Sequence, residues 1–167
     1  MNLFFRMLRV FGMALLRSRI GLQDSSELRF LVLPTDLDIN VHMTNARYLS
    51  FMDLGRTDLL VRVGLLAAMR RERWMPVVGH IDIQFRRPLS PFQRFSVSSR
   101  LLRWDEKWLY MEQRLESAKG VHAVATVRGL FLDRNGTKVP SQRLLERLGY
   151  HREESPSPPE DARSTDA

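Results

Sequence analysis

The order of apolar and polar positions predicts a helix, a strand, a second long helix and then a run of strands. In residues 1–20, a polar stripe of Asn2, Arg6, Arg9 and Arg17 lies beside Leu, Phe, Met and Val on a helical wheel. Two interpretations fit this pattern: an amphipathic helix on a membrane surface, with arginines at headgroup level, or a helix docked on the protein. The pattern favours the membrane surface, and the longest uncharged run is too short to span a bilayer.

Residues 26–150 have the pattern of one α+β domain. A strand is expected over residues 28–34, followed by helical spacing from 46 to about 71 with an interruption near Gly64. Alternation then predicts four strands in a meander and a short terminal helix. These strands cover residues 80–86, 94–104, 108–118 and 121–132, and the helix covers 141–148. An antiparallel sheet wrapped around one long central helix is a compact solution for this order.

Composition narrows the classes of function. The 167 residues include no cysteine, which excludes disulfides, thiolate metal sites and a cysteine nucleophile. The net charge of +7 favours anionic partners, such as acidic phospholipid, a phosphorylated cofactor or an acidic carrier protein. Nucleic acid is a poor candidate, because no aromatic–basic strand motif accompanies the charge. Residues 152–167 are rich in Pro, Ser and acids, which predicts a disordered tail.

The most informative segment is the polar pattern D-x-D-x-N-x-H-x-x-N-x-x-Y of residues 36–48, between the first strand and the long helix. Backbone N–H groups at a helix start can stabilise developing negative charge, so this loop is suited to an active site. Asp36 is expected to be a loop or cap residue, since Asp favours turns. Tyr48 is either a core residue or a substrate contact. Asn45, next to the helix, either caps it or contributes to an oxyanion site.

This pattern resembles the signature of hotdog-fold thioesterases, in particular the branch of acyl-acyl-carrier-protein and 4-hydroxybenzoyl-CoA thioesterase-like enzymes. The resemblance covers residues 28–132 and implies a hotdog fold and hydrolysis of acyl-CoA or acyl-carrier-protein thioesters. It aligns Asp38 with the carboxylate that activates water or attacks the thioester. By the same resemblance, His42 shares proton transfer or orients water, and Asn40 holds the water or the carboxylate.

One departure from that branch keeps other functions open. The branch has a Glu shortly after an Arg-Arg pair, whereas here Arg86 and Arg87 are followed by Pro88. A non-catalytic hotdog protein that binds acyl thioesters or acts as a membrane-associated scaffold is therefore the alternative. A hotdog dehydratase fits the loop less well. Asp53 lies where other hotdog branches place their acid and is the second candidate base, although an ion pair with Arg56 is the stronger interpretation.

The same residues suggest partners. Arg86 and Arg87 are candidates to meet the phosphates of coenzyme A or of a phosphopantetheine arm. A homodimer or tetramer is expected, because a sheet curled around one helix leaves an open edge strand, and hotdog sites are typically completed by a second subunit. The sequence predicts neither a metal site nor a cofactor. The expected location is the cytoplasm, at the inner face of the membrane wherever residues 1–20 bind an anionic surface.

Overall fold

A computed structural model describes residues 3–150 of the chain. The predicted disordered tail, residues 152–167, lies outside this range. The helices are α1 (Leu3–Leu16), α2 (Asn45–Arg62), α3 (Leu65–Glu72) and α4 (Ser141–Arg147), with a 3-10 turn at Pro34–Asp36. The strands are β1 (Ser26–Leu31), β2 (Met75–Phe85), β3 (Arg94–Trp104), β4 (Leu109–Ser117), β5 (Gly120–Leu132) and β6 (Lys138–Val139).

The strands form one antiparallel sheet in the order β1-β3-β4-β5-β2, and β6 pairs with β5. The predicted four-strand meander is therefore wrong for β2, since only β3, β4 and β5 are consecutive neighbours. β2 instead pairs with β5, for example Ile81 opposite Val127, and its other edge has no partner strand in residues 3–150. Alternation in a strand predicts its two faces but says nothing about which strand lies beside it.

The sheet packs against α2, which supplies the centre of the core. Phe51, Met52 and Leu54 are fully buried in a cluster with Phe95 and other residues of the sheet. The rings of Phe51 and Phe95 meet edge to face, with centroids 4.9 Å apart. The predicted long central helix is thus present, and burial of its apolar side holds the site loop that precedes it against the sheet.

The predicted interruption of the long helix is confirmed. α2 ends at Arg62, and Gly64 adopts a left-handed φ of +90° before α3 begins. Such a φ is easily reached by glycine and costs other residues energy. α3 and α4 then cover a second apolar cluster that includes Trp74, Trp104 and Leu144.

The orientation of α1 differs from the prediction for residues 1–20. The helix packs on α2, and its buried residues are Arg6, Val10 and Ala14. Arg6 is therefore not available to lipid headgroups, because it forms a buried ion pair with Asp36. Arg17 likewise turns towards the protein and pairs with the buried Asp58 at 3.2 Å. None of the helices in residues 3–150 is long and apolar enough to cross a bilayer.

Candidate functional site

The loop between β1 and α2 contains a tight turn at Asp38. The backbone N–H of Asp38 donates to the carbonyl of His42 at 2.9 Å, and the N–H of Val41 donates to the carbonyl of Asp38 at 3.1 Å. Val41 has a φ of +58°, an uncommon value for a β-branched residue. Strained backbone of this kind concentrates at functional sites, and here it shapes the turn that presents Asp38.

The Asp38 carboxylate is oriented by the backbone of its own turn. Its Oδ1 accepts hydrogen bonds from the N–H groups of Asn40 at 2.8 Å and His42 at 3.3 Å. The side chain is exposed, and its Oδ2 has no hydrogen-bond donor within residues 3–150. One oxygen is thus fixed while the other faces solvent, which is an arrangement that a base or a nucleophile can use.

The side chains of His42 and Asn40 lie on the same turn as Asp38. The imidazole of His42 is half-buried, and the amide of Asn40 is exposed. Neither has a hydrogen-bond partner in the part of the chain that the structure describes. The three predicted catalytic residues are therefore together, and the side chains of His42 and Asn40 remain available to a bound molecule.

The start of α2 is capped by Thr44, so the interpretation of Asn45 as the cap is wrong. Thr44 has extended backbone angles, and its Oγ1 accepts a hydrogen bond from the N–H of Arg47 at 3.3 Å. Asn45 is the first helical residue and is exposed. The N–H groups of Asn45 and Ala46 have no acceptor among residues 3–150, so the positive end of the helix opens next to the turn.

Asp36 is a structural residue of the loop, as expected, and its side chain lies in the protein interior. It is completely buried, and its two carboxylate oxygens accept from Arg6 at 2.9 and 2.8 Å. The same carboxylate accepts from the N–H of Leu33 at 3.0 Å, and the Asp36 carbonyl accepts from the N–H of Thr44 at 3.0 Å. The buried carboxylate of Asp36 therefore holds the loop in place, whereas the carboxylate of Asp38 is exposed, and the two do not form a pair.

Tyr48 is a core residue that joins α2 to the segment after β2. It is buried, its hydroxyl donates to the carbonyl of Arg87 at 3.3 Å, and it accepts from the N–H of Leu89 at 3.0 Å. Burial raises the pKa of Tyr48, and the hydrogen bond from Leu89 opposes the shift. The carbonyl of Leu89 in turn accepts from the N–H of Met43 at 2.9 Å. The Tyr48 hydroxyl thus supports the site loop and is already used by the backbone.

The two predicted phosphate-binding arginines face different surroundings. Arg86 is exposed, whereas Arg87 donates from Nη1 to the carbonyl of Lys119 at 2.7 Å. A buried residue that sequence analysis missed, His122, lies beside this segment, and its Nδ1 is 3.2 Å from the Arg87 carbonyl. Its Nε2 lies 2.7 Å from the hydroxyl of Ser117, so an Nδ1-protonated ring satisfies both contacts. His122 occupies an ordinary strand position, with no spacing to distinguish it.

Asp53 is engaged in the expected ion pair. Its carboxylate contacts Arg56 one turn later on α2, and more than half of the Asp53 side chain is exposed. Arg56 is buried and also donates to Gln113. Burial lowers the pKa of Arg56, and the charge and hydrogen bond of Asp53 oppose that shift. Asp53 therefore compensates a buried cation.

An antiparallel sheet around a central helix, with an aspartate turn at the helix start, defines a class of protein. Residues 32–163 match the model of the thioesterase-like superfamily. This match covers more than half of the chain, so the chain belongs to that superfamily. The family predicted from residues 36–48 is confirmed.

Two curated relatives illustrate the family. Protein THEM6 of Xenopus laevis is 35% identical over 133 residues, which are 78% of this chain and 62% of the frog protein. A probable thioesterase of Saccharomyces cerevisiae is 28% identical over 123 residues, which are 72% of this chain and 53% of the yeast protein. The chain thus spans less than two thirds of the length of these relatives.

Solved structures confirm the hotdog fold. The probable thioesterase YbaW of Escherichia coli has a TM-score of 0.68 and 26% identity, and the match covers 73% of this chain and 95% of that one. A 1,4-dihydroxy-2-naphthoyl-CoA thioesterase of Synechocystis has a TM-score of 0.64 and 13% identity over 75% of this chain and 95% of that one. The second likeness shows the fold alone.

Proposed function

We propose that the protein hydrolyses acyl thioesters of coenzyme A or acyl carrier protein, with Asp38 as the general base or nucleophile. One observation carries this proposal. The Asp38 carboxylate is held by two N–H groups of its own turn. The same loop ends at the N–H groups of Asn45 and Ala46 in α2, which have no acceptor among residues 3–150. A base and an oxyanion site are the two groups that thioester hydrolysis needs.

The chemistry can follow either of two routes from the same carboxylate. In the base route, Asp38 takes a proton from water as the water oxygen adds to the thioester carbonyl carbon. The oxyanion accepts from the N–H groups of Asn45 and Ala46, and collapse breaks the C–S bond while the proton passes to the leaving thiolate. In the nucleophile route, an Asp38 oxygen adds to the carbonyl carbon, and collapse breaks the C–S bond and expels the thiolate, which leaves a mixed anhydride. Water then hydrolyses the anhydride, which releases the fatty acid, restores the Asp38 carboxylate and supplies the proton of the thiol. His42 orients the water or shares the proton transfer, and Asn40 holds the water.

The two arginines that follow β2 support a thioester with a phosphorylated carrier. Arg86 lies just after β2, and its side chain is exposed, so it is free to meet the phosphates of coenzyme A or of a phosphopantetheine arm. Arg87 can also bind these phosphates. One of its guanidinium N–H groups donates to the carbonyl of Lys119, and the other donors, which have no acceptor among residues 3–150, are available. The names of the yeast and Escherichia coli relatives as probable thioesterases agree with a thioester substrate.

We further propose a homodimer formed through β2, with a tetramer as the alternative. One edge of β2 has no partner strand within residues 3–150, and Met75, Val78 and Phe85 of this strand are exposed hydrophobic residues. Phe85 also contacts Tyr48 edge to face at 5.2 Å, so this edge lies beside the start of α2. Strand pairing would cover both the edge and the site mouth. Light scattering should report a dimer or tetramer at micromolar concentration, and a fully active monomer would contradict the proposal.

Thiol release from a panel of acyl-CoA and acyl-carrier-protein substrates tests the function. Asp38→Asn should reduce kcat by about a hundredfold or more, because an amide neither takes a proton nor attacks a carbonyl. Asp53→Asn is the matched carboxylate control on α2 and should keep most of the activity. The opposite result, with Asp38→Asn active and Asp53→Asn inactive, would place the reaction on α2 and overturn the assignment.

A non-catalytic acyl-thioester binder is the second candidate, and Pro88 is the observation that favours it. The related branch has an acid near this position, whereas Pro88 is exposed and carries no ionisable group. Isothermal titration with an acyl-CoA separates the two candidates. Binding without any thiol release by the wild-type protein would support the binder, and turnover would exclude it.

A further inference from the structure

The outward side of α1 is an apolar surface. We call it the outward face and define it by Phe5, Leu8, Leu15 and Leu16, which are 59%, 61%, 56% and 90% exposed. Of the thirteen exposed large hydrophobic residues within residues 3–150, six lie on this one helix. Single exposed hydrophobic residues are ordinary, but a cluster of this density marks an interaction site.

The helix cannot turn this surface inward without breaking its own attachments. On its inner side, Arg6 binds both oxygens of Asp36, and beyond the helix end Arg17 binds Asp58 at 3.2 and 3.3 Å. Both carboxylates are completely buried. Rolling α1 would take these close cations away from two buried carboxylates. As cations among residues 3–150, Asp36 would keep only Arg47 at 3.5 Å, and Asp58 would keep only Arg62 at 3.7 Å, which is unfavourable. Arg6 and Arg17 therefore face the protein, and the four apolar residues of the outward face lie on the other side of the helix.

The charge around the outward face selects its partner. Residues 1–20 contain no Asp or Glu, and Arg9 and Arg19 are exposed. We propose that α1 docks the protein on an anionic lipid bilayer, with the outward face among the acyl chains and these two arginines at the phosphates. Residues Leu3–Leu16 are not long and apolar enough to cross a bilayer, and in this proposal α1 lies in the plane of the interface.

A second copy of the chain is a poorer occupant of the same surface. Two α1 helices related by a twofold axis would bring Arg9 and its symmetry equivalent to one interface, and this helix supplies no acid to neutralise them. Lipid phosphates neutralise them directly, because anionic headgroups attract basic residues at the membrane surface.

Docking also connects the bilayer to the site loop. Arg6 of α1 holds Asp36, which precedes Asp38 by two residues. A membrane-bound α1 would therefore keep the loop close to the interface where long-chain acyl thioesters partition. This consequence rests on the proposed function, whereas the docking itself does not.

Flotation of the full chain with vesicles tests the proposal without any activity measurement. One set of vesicles contains phosphatidylcholine alone, and the other contains equal parts of phosphatidylcholine and phosphatidylglycerol. We expect binding to the anionic vesicles that weakens in high salt. The double variant Leu8→Glu/Leu15→Glu should lower the partition constant at least about tenfold, because two apolar side chains leave the acyl region. Arg9→Gln should reduce the preference for phosphatidylglycerol.

Phe92→Glu is the matched control, since Phe92 is similarly exposed but lies outside α1. It should bind vesicles like the wild type. Circular dichroism should show that all variants keep the fold, because each substituted side chain is exposed. Wild-type protein that ignores anionic vesicles would overturn the proposal, as would equal loss of binding in the α1 and Phe92 variants. A change of oligomeric state in the α1 variant, without vesicle binding by the wild type, would show that a second copy covers the outward face.

Discussion

Replacing Arg6 with methionine tests how α1 supports the site loop. The guanidinium donates to both oxygens of Asp36, at 2.9 and 2.8 Å, and both residues are buried. Methionine is also long and unbranched but has no donor. The Asp36 carboxylate would then keep the N–H of Leu33 at 3.0 Å and the Nε of Arg47 at 3.5 Å.

The expected loss of stability follows from the uncompensated charge. Removing one partner of a buried ion pair costs about 3–5 kcal/mol. Arg47 lies near enough to compensate part of the charge, so we expect about 3 kcal/mol for Arg6→Met. The double variant Arg6→Met/Asp36→Asn leaves neither charge of this pair in place. It should therefore be more stable than the sum of the two single changes predicts, by about 1–3 kcal/mol.

Urea denaturation of the four proteins gives this coupling free energy directly. Arg29→Met is the control, because the ion pair of Arg29 with Glu27 is exposed and should contribute about 1 kcal/mol or less. In the thiol-release assay, Arg6→Met should lower kcat more than it changes KM, since Asp36 positions the turn of Asp38 and does not touch the substrate. The reasoning is refuted if Arg6→Met costs no more than Arg29→Met, or if the two single changes are additive.

Two further changes test how the sheet is packed and how one turn responds to pH. Gly55→Ala should lower the free energy of unfolding by about 1–3 kcal/mol in urea denaturation, because a Cβ there would lie 2.6 Å from the Ser99 Oγ. A Cβ at Gly12 would meet open space, so Gly12→Ala should stabilise α1 by about 0.5–1 kcal/mol. A destabilising Gly12→Ala, or a neutral Gly55→Ala, would contradict this. Burial alone would raise the pKa of Asp105, but hydrogen bonds from Trp108 and neighbouring donors outweigh it and hold the pKa below its usual value. The stability that Asp105 contributes should therefore be present at neutral pH and lost as pH falls below about 4, so the difference between wild type and Asp105→Asn should shrink there. A difference independent of pH would refute this.

Local patterns predicted most of the elements, and the misses have physical causes. β3 was predicted over residues 94–104 and is found at Arg94–Trp104. β2 begins at Met75, whereas its predicted start was residue 80. The prediction started too late because Pro76 and Gly79 are residues that usually interrupt a strand. An edge strand tolerates proline, which lacks an N–H, and Gly79 leaves room for the ring of Trp108, which a Cβ would approach to 2.5 Å. The sequence of β2 alone shows neither that this strand lies at the edge of the sheet nor that the ring of Trp108 packs against Gly79.

The site shows the same division between local and distant information. The turn at Asp38 could be predicted, because its residues are contiguous and its hydrogen bonds span at most four positions. The supporting contacts could not be predicted, since the bonds of Arg6 to Asp36 and of Tyr48 to Leu89 join residues 30 and 41 positions apart. Thr44 was identifiable in principle, because threonine is a favoured N-cap and immediately precedes the helix.

The orientation of α1 shows why an amphipathic pattern alone does not reveal which side of a helix faces the protein. A stripe of arginines beside an apolar arc fits a helix that presents its charges to solvent. It fits equally well a helix whose charges meet buried carboxylates elsewhere in the chain. The second arrangement is present here because Asp36 and Asp58 are buried under α1 and need cations. Once Arg6 and Arg17 are used in this way, the exposed apolar residues of α1 lie on its outer side. The structure thus reverses the expected roles of these two arginines, and a lipid partner for the outward face is the proposal that vesicle flotation tests.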